Sequence, residues 1–284
     1  MGSAFMTWSI VSDSSCDFPE ELSRNFCAYF AKVPLRIRVG DTEYVDDDSL
    51  NINLMLGHMQ TYKGPSSSAC PSPESWAEEF RKSDQTIAVA MTSALSGTYN
   101  SALVARDMVL EEFPEKKIHV LDSHSTGGGL VLIIRKAEEL IRDGYSFEEI
   151  TAQLETYSSS LFLLFSLSTF DNLIKTGRMP ALVGKLAATL GIRAIASNTP
   201  EGKIKVQQKP RGEERAIQLM VELIGKMKNI TGKPVVITHC NNLKGAQRLK
   251  ELITHTCLTA KITVLQTRGL TSFYCENGGL MVGF

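Results

Sequence analysis

The sequence predicts a protein of two α/β domains, and three observations support this fold class. The chain has 284 residues, which is more than a typical single domain and enough for two. Strand-like runs alternate with helix-like stretches from the start, the pattern that produces parallel sheets flanked by helices. The pattern changes in the second half, where two strand candidates are joined by a short turn. We therefore place a domain boundary near residues 150–160.

The first half contains four predicted strands, over residues 8–11, 33–39, 86–91 and 118–121. Apolar residues at helical spacing after Tyr99 predict a helix between the last two strands, which makes a strand–helix–strand crossover. Three consecutive glycines then lead into a helix that is predicted to end near Arg142. The segment 64–73 is rich in serine and proline and is expected to be a loop only.

The second half contains five further strand candidates. They cover residues 161–166, 191–196, 203–207, 235–238 and 261–265. Helices are predicted over 170–175 and 213–228, and a third has Leu249, Leu252 and Ile253 on one face. No internal repeat is visible.

Composition excludes several classes of function. The formal net charge of −1 gives no long-range field to attract nucleic acid or an anionic membrane. No apolar run approaches the roughly 20 residues of a membrane-spanning helix, and the N-terminus lacks the pattern of a signal peptide. We expect a cytoplasmic protein with no nucleic-acid partner, whose six scattered cysteines are reduced thiols.

The sequence also lacks the motifs of the common cofactor sites. Neither GxxxxGK[ST] nor GxGxxG occurs, so nucleotide binding is not expected. No pair of histidines or cysteines has the spacing of metal ligands. We therefore expect neither a metal nor another cofactor.

Polar side chains follow three of the predicted strands, at 13–15, 92–93 and 122–123. In a doubly wound sheet, ligands bind outside the carboxyl ends of the strands, so these side chains indicate one shared crevice. Within 91–98 a strand breaks into a turn rich in hydroxyls, and a helix begins near Ser96. Such a helix start presents N–H groups and a positive dipole to an anion. With Ser93 and the serines at 66–68, it predicts a cradle for a carboxylate.

Two other interpretations of these residues stay open. Ser96 or Thr98 can serve as an N-cap alone, which explains any Ser or Thr at a helix start, whereas Ser93 lies too far upstream to cap. Ser93, Asp122 and His239 are also the residue types of a serine hydrolase, although the nucleophile-elbow pattern GxSxG is absent.

A family resemblance runs the length of the chain. The first half carries Val11-Ser12-Asp13-Ser14-Ser15, Val33-Pro34-Leu35, Pro71-Ser72-Pro73 and Thr92-Ser93-Ala94-Leu95-Ser96-Gly97-Thr98-Tyr99. The second half carries Asn172-Leu173-Ile174-Lys175-Thr176-Gly177-Arg178, Gly191-Ile192-Arg193-Ala194-Ile195, Lys209-Pro210-Arg211 and Gly278-Gly279. In this order and spacing, the stretches resemble the DegV family.

This resemblance implies a Rossmann-like parallel sheet with helices on both faces over residues 6–155. It implies a second α/β domain with a mixed sheet over residues 156–284, and a long-chain fatty acid held between the two. Family members that resemble the binding subunit of bacterial fatty-acid kinase present the carboxylate to a separate kinase protein, which makes the acyl phosphate. The implied partners are thus a fatty acid and a kinase, and the chain itself is not an enzyme.

The resemblance also assigns roles to particular residues. Ser93 and a loop hydroxyl, Ser68 or Ser67, would hydrogen-bond the carboxylate, within a ligand-binding set that includes Thr92, Ser96 and Cys275.

Arg178 and Arg211 would face the head-group entrance or the kinase, although surface salt bridges explain both equally well. The chain departs from the family at Ala69 and Cys70, which replace Ser and Gln. It departs again at Cys275, where the family has a histidine that helps to bind the head group.

The acyl tail is expected to supply most of the affinity. Burying the ~15 methylenes of a C16 chain at about 0.8 kcal/mol each gives roughly 12 kcal/mol before ordering costs. Each hydrogen bond to the carboxylate adds only about 1.5–3 kcal/mol. Apolar residues of the second domain should line the tunnel for the tail. The candidates, each of which ordinary core packing also explains, are Phe162, Phe165, Leu167, Leu182, Leu186 and Ile192.

Three hypotheses of function follow from the sequence. The first is a fatty-acid-binding protein, expected to be a monomer. The second is an esterase or thioesterase that uses Ser93, for which Ser93→Ala would abolish turnover. The third is a regulatory or scaffold protein whose ligand only tunes a protein contact, which charge reversal at Arg178 or Arg211 would disturb.

Overall fold

The computed structural model describes residues 7–179 and 191–284. In chain order the first half contains β1 (Trp8–Asp13), a 3-10 helix (Glu20–Ser23), β2 (Tyr29–Val33), β3 (Arg36–Val39), β4 (Thr42–Val45), α1 (Ile52–Thr61), β5 (Ser66–Ala69), α2 (Pro73–Phe80), β6 (Gln85–Ala90), α3 (Thr98–Glu112), β7 (Lys117–Asp122), α4 (Gly128–Arg142) and α5 (Phe147–Ser159). The second half contains β8 (Leu163–Leu167), α6 (Asp171–Lys175), β9 (Ala194–Asn198), β10 (Ile204–Gln208), α7 (Glu213–Met227), β11 (Pro234–His239), α8 (Leu243–Thr256), β12 (Lys261–Gln266), α9 (Gly269–Cys275) and β13 (Leu280–Gly283).

The first sheet is parallel, with the strand order β2-β1-β6-β7. All six residues of β6 are buried, as expected for a central strand that helices cover on both faces. Helices α2 and α3 pack on one face around Trp76, and α4 and α5 pack on the other. The predicted parallel α/β sheet is confirmed.

Two predictions in this half are wrong. Residues 33–39 do not form one strand, because β2 ends at Val33 in the parallel sheet and β3 begins at Arg36 in a separate one. Pro34 lies at the break, where it has no N–H to donate to a sheet. The segment 64–73 is not only a loop, since β5 lies within it and pairs antiparallel with β3. Strands β4, β3 and β5 thus form a small antiparallel sheet.

The third sheet has six strands in the order β10-β9-β8-β13-β11-β12. It is mixed, since β11 and β12 run parallel while the other neighbouring pairs are antiparallel. Helices α7 and α8 cover one face with a core that includes Met220 and Leu249. The mixed sheet implied by the family resemblance is confirmed.

Helix α4 lies between the two large sheets and packs against both. Its first turn comes so close to the six-stranded sheet that a Cβ on Gly128 would lie 3.1 Å from the carbonyl oxygen of Val236. The core around α4 accordingly combines Ile10 and Val89 of the first sheet with Val236 of the third. The strands of the parallel sheet all precede residue 123, and those of the mixed sheet all follow residue 162. The boundary at 155/156 falls inside α5 and stays a prediction.

Two of the tunnel candidates, Leu182 and Leu186, lie outside the described residues. Among the helices that the structure describes, none is both long enough and apolar enough to cross a membrane.

Candidate functional site

A cavity opens where the ends of β6 and β7 meet the six-stranded sheet and α9. It holds about 770 Å³ of empty space, part of which is open to solvent. Its apolar wall consists of Leu35, Met91, Leu95, Leu163, Phe165, Leu167, Leu173, Ile204, Leu270 and Met281. Alternate residues of β8 supply three of these side chains, as the period of a strand requires.

One group of polar lining residues surrounds Ser68. The Ser68 hydroxyl lies 2.9 Å from the phenolic oxygen of Tyr274 on α9. The turn before α3 lies beside β5, since a Cβ on Gly97 would be 3.5 Å from the Cys70 sulfur. Ser96 lines the cavity from that turn.

Arg178 lines the cavity beside this turn. Its Nε donates to the carbonyl oxygen of Leu95 at 3.1 Å, and its Nη1 donates to the carbonyl oxygen of Thr176 at 2.9 Å. A cation and hydroxyls therefore stand together at one part of the wall, which suits the anionic end of an amphiphile.

A second polar group lines the cavity where the β9–β10 hairpin meets the first sheet. Thr92 Oγ1 donates to the carbonyl of Gly202 at 3.2 Å, and its backbone N–H donates to the carbonyl of Ser125 at 2.9 Å. Asn198 Nδ2 donates to the carbonyl of His124 at 3.2 Å. These bonds join the β6 and β7 loops to the six-stranded sheet across the cavity wall.

The structure brings five of the residues predicted for ligand or partner contact to the cavity: Ser68, Thr92, Ser96, Arg178 and Cys275. Three others lie elsewhere. Ser67 is exposed on the opposite face of β5 from Ser68, because successive strand residues point to opposite faces. Ser93 is exposed, and its backbone N–H donates to both carboxylate oxygens of Asp122 at 3.2 and 3.3 Å. Arg211 is exposed and forms a β-bridge with Ile192.

Only some of the side chains predicted to line the tunnel for the acyl tail reach the cavity. Phe165 and Leu167 line the cavity. Phe162 instead stacks on Phe284 with the ring centroids 5.8 Å apart, in the core under α7 and α8. Ile192, paired with Arg211, is not among the lining residues that the structure describes.

Several lining residues were not predicted from the sequence, among them His124, Ser125, Asn198 and Tyr274. The sequence did contain a signal for His124 and Ser125, since they directly follow the strand-end residues Asp122 and Ser123. No comparable signal marked Tyr274, which reaches the cavity only because α9 packs against β5.

Buried carboxylates hold α9 in place. Asp17 accepts the backbone N–H of Arg268 at 2.7 Å, and Asp46 accepts those of Gly269 and Leu270 at 2.9 and 2.8 Å. Burial raises the pKa of Asp17 to about 7 and that of Asp46 to about 6. These acids stabilise the start of α9, the helix that carries Tyr274 and Cys275 into the cavity wall.

Cys275 presents a neutral sulfur to the cavity. Burial raises the pKa of its thiol well above the ordinary value, so the thiolate does not form near neutral pH. The sulfur lies 3.1 Å from that of Met281. The adjacent Glu276 has its pKa raised to about 7 by burial and by nearby Asp171.

The geometry does not assemble the hydrolase triad among the described residues. Ser93 contacts Asp122 through its backbone N–H rather than its hydroxyl. His239 Nδ1 accepts the backbone N–H of Asn242 at 3.2 Å. Within residues 7–179 and 191–284 there is also no cluster of three or more His, Cys, Asp or Glu that could hold a metal ion.

A family model described as "Uncharacterised protein, DegV family" matches residues 7–283. The chain belongs to the DegV family. The resemblance found from the motifs is thereby confirmed over nearly the whole chain.

Relatives within DegV match over the same length. A DegV domain-containing protein of Streptococcus gordonii is 40% identical over 279 residues, which cover 98% of this chain and 99% of the relative. The crystal structure of the Streptococcus pneumoniae Fatty Acid Kinase (Fak) B3 protein, loaded with linoleic acid, is 39% identical with a TM-score of 0.95. It aligns over 98% of this chain and 99% of its own.

A DegV protein of Eubacterium eligens, loaded with heptadecanoic acid, is 33% identical with a TM-score of 0.93. It covers 98% of this chain and 99% of its own.

Proposed function

We propose that this DegV protein binds one long-chain fatty acid in the cavity, with the carboxylate near Ser68, Ser96 and Arg178. The observation that carries the proposal is the cavity wall itself, which is apolar along β8 and has hydroxyls and a guanidinium at one part. The relatives from Streptococcus pneumoniae and Eubacterium eligens, which carry fatty acids, support the same ligand class.

The relative sizes of the contributions explain why the departures from the family pattern leave this proposal intact. The tail supplies about 0.8 kcal/mol per buried methylene, so about 15 methylenes exceed what two or three head-group bonds contribute. Ala69, Cys70 and Cys275 change only the surroundings of the head group. The hydroxyls and Arg178 therefore set the orientation of the acid more than its total affinity.

We further propose that the bound acid is presented to a separate kinase rather than transformed by this chain. The name of the Streptococcus pneumoniae relative, a fatty acid kinase B3 protein, supports this partner. Arg211 is exposed and away from the cavity lining, as a partner contact requires. Among the described residues the Ser93 hydroxyl forms no hydrogen bond to His239, whose Nδ1 accepts from Asn242, and this gives the hydrolase alternative less support. The cytoplasmic location and the monomeric state stay predictions.

The direct test is mass spectrometry of the organic extract from purified protein, followed by titration of the delipidated chain with palmitic and linoleic acids. We expect close to one acyl chain per protein and saturable uptake after delipidation. In a parallel assay, wild-type protein should not hydrolyse acyl esters. An empty extract without uptake of either acid would overturn the proposal, and ester turnover that Ser93→Ala abolishes would favour the hydrolase.

A further inference from the structure

Asn172 of α6 joins two elements that contribute to the cavity wall. Its side chain is buried, and its Nδ2 donates to the carbonyl oxygen of Phe273 at 2.9 Å and to Oε1 of Glu276 at 3.2 Å. Phe273 lies within α9, and Glu276 directly follows the last residue of that helix, Cys275, which lines the cavity. One buried amide therefore connects α6 to the end of α9.

The turn after α6 places Arg178 in the cavity wall. The N–H of Thr176 donates to the carbonyl oxygen of Asn172 at 3.1 Å, and the N–H of Arg178 donates to that of Leu173 at 2.8 Å. The Arg178 guanidinium is bonded in turn to the carbonyl oxygens of Leu95 and Thr176. The position of this cation thus depends on where α6 lies, and the bonds of the Asn172 side chain fix α6 against α9.

The backbone of Glu276 has a conformation that few residues other than glycine adopt. Its φ is 52° and its ψ is 177°. Such a conformation persists only where the surrounding contacts enforce it. Here the N–H of Glu276 donates to the carbonyl oxygen of Ser272 at 2.8 Å, and its own carbonyl accepts from the N–H of Gly279 at 3.2 Å. These bonds hold the carboxyl group in a fixed position beside Asn172.

The Glu276 carboxyl group lies close to charges of both signs on α6. Burial raises its pKa to about 7, Asp171 raises the pKa further, and Lys175 opposes the rise. The thiols of Cys275 and Cys240 lie near it, and burial raises the pKa of both, so they stay neutral between pH 6 and pH 8. Ionisation of Glu276 in that range therefore puts a second negative charge beside Asp171 in a partly buried position, which is unfavourable.

Other charged groups contact α9 or the loop that follows it. Arg193 Nη1 donates to the carbonyl oxygen of Gly278 at 2.6 Å and lies 3.6 Å from Oε1 of Glu213. Asp17 and Asp46 accept N–H groups at the opposite end of α9, and burial raises the pKa of Asp17 to about 7 and that of Asp46 to about 6. These two acids also ionise near neutral pH, so a test has to separate their effect from that of the loop.

We propose that Glu276 is a positioning residue that, through Asn172, holds Arg178 at the ligand carboxylate, and that its ionisation weakens this hold and speeds release of the fatty acid. The inference rests on the proposed fatty-acid function and adds a control of ligand exchange by pH. The protonated carboxyl accepts from Asn172 without repelling Asp171. The ionised carboxylate favours separation of α6 from α9, which returns its charge to water and moves Arg178 away from the head group.

The test measures the rate at which palmitic acid leaves the loaded full-length chain for phosphatidylcholine vesicles at pH 6, 7 and 8. The contact is strongest below the ordinary carboxyl pKa of 4.5 and is lost as the pH rises through 7. The wild-type rate should therefore rise about five- to tenfold from pH 6 to pH 8. Glu276→Gln has nearly the same shape but cannot ionise, and its rate should stay within about twofold of the wild-type rate at pH 6 throughout.

Two further variants test the path from Glu276 to Arg178. Asn172→Ala removes both bonds to α9 and should release the acid at pH 6 as fast as the wild type does at pH 8. Arg178→Gln removes the cation that is positioned, so release should be faster than in the wild type and should change less than about twofold with pH. Glu111→Gln is the matched control at an exposed position of α3 and should keep the wild-type rise.

The outcomes separate this inference from the proposed function. A wild-type rate that is the same at pH 6 and pH 8 would overturn the pH control and leave fatty-acid binding intact. The full rise in Glu276→Gln would assign the effect to Asp17 and Asp46 instead, and the full rise in Arg178→Gln would remove the positioning role. The wild-type and Glu276→Gln series decide the question even if Asn172→Ala fails to fold. Failure of the wild type to take up palmitic acid at any pH would overturn the proposed function itself.

Discussion

The hydroxyl of Ser68 and the phenol of Tyr274 lie 2.9 Å apart although the residues are 206 positions apart in the chain. Their hydrogen bond joins the small antiparallel sheet to α9 in the wall of the cavity. A polar pair at this place can exchange its mutual bond for bonds to a ligand oxygen, since each hydroxyl can donate and accept.

Ser68→Ala should weaken fatty-acid binding by about 10–100-fold, the effect of removing one hydrogen bond to a charged group. The measurement is a titration of delipidated protein with palmitic acid. Ser67→Ala is the control for the same strand and the same change, and its side chain lies on the exposed face. Equal losses in the two variants would contradict the placement of the carboxylate at Ser68.

Asp17→Asn should reduce the dependence of stability on pH. Burial raises the pKa of Asp17 in the folded protein from 3.8 to about 7, so the folded state binds the proton more tightly than the unfolded state. The resulting stabilisation is complete below about pH 4 and is lost as the pH rises through 7. At 1.36 kcal/mol per pKa unit, its upper bound is about 4 kcal/mol.

Thermal unfolding between pH 5 and pH 8 measures this effect. The wild type should become less stable across the range, with Asp13 and Asp46 contributing because burial raises the pKa of each to about 6. Asp17→Asn should match the wild type at pH 5 and exceed it at pH 8. Asp84→Asn is the control, because hydrogen bonds from Thr7 lower the pKa of Asp84 and its effect appears only at more acidic pH. A wild-type curve that rises toward pH 8 would refute the assignment.

Gly128→Ala should destabilise the fold by about 1–3 kcal/mol, the usual effect of inserting a methyl group into a packed contact. The new Cβ would lie 3.1 Å from the backbone oxygen of Val236, where neither α4 nor β11 can move freely. Gly225→Ala in α7 is the control, since no atom lies within 4 Å of its Cβ position. That change should be neutral or stabilise by up to about 1 kcal/mol. Urea unfolding measures both, and equal midpoints would argue against close packing of α4.

Arg211→Glu should separate partner binding from ligand binding. The side chain is exposed and outside the cavity lining, so palmitic-acid affinity should stay within about twofold of the wild type, as for surface changes generally. Acyl-phosphate formation with a bacterial fatty-acid kinase should fall about tenfold or more if the arginine meets an acidic surface of that kinase. Arg24→Glu makes the same change at an exposed position directly after the 3-10 helix and should alter neither palmitic-acid affinity nor acyl-phosphate formation. Unchanged turnover in Arg211→Glu would remove Arg211 from the kinase contact.

Much of the parallel sheet could be read from the sequence. Residues 86–91 and 118–121 were predicted as strands, and the structure has Gln85–Ala90 and Lys117–Asp122. Helices bury both faces of these strands, so each strand is a continuous apolar run. Such a run can be recognised as a strand from the sequence alone. Strand β13 was not predicted although it is central in the six-stranded sheet, since Gly278 and Gly279 precede it, Gly283 ends it, and its four residues are too few to show a period.

The residues of the candidate site could likewise be predicted only in part. Thr92 and Ser96 follow β6, were predicted and line the cavity, because the carboxyl ends of parallel strands meet at one edge of a sheet. Ser68 was also predicted and lines the cavity, but from the small antiparallel sheet. Ser67 and Ser93 were equally good candidates by residue type. Only the alternation along β5 and the hydrogen bonds of Ser93 to Asp122 show that both side chains face outward.

By itself, the sequence determined the fold class, the family and the position of the hydroxyl-rich turn, because apolar periodicity, turn residues and motif order are local properties of the chain. The tertiary structure alone decided that Tyr274 meets Ser68 and that Gly128 of α4 packs against Val236. Such contacts depend on how α4 and α9 pack between the sheets, and packing joins residues that are distant in sequence and carry no local mark of their partner.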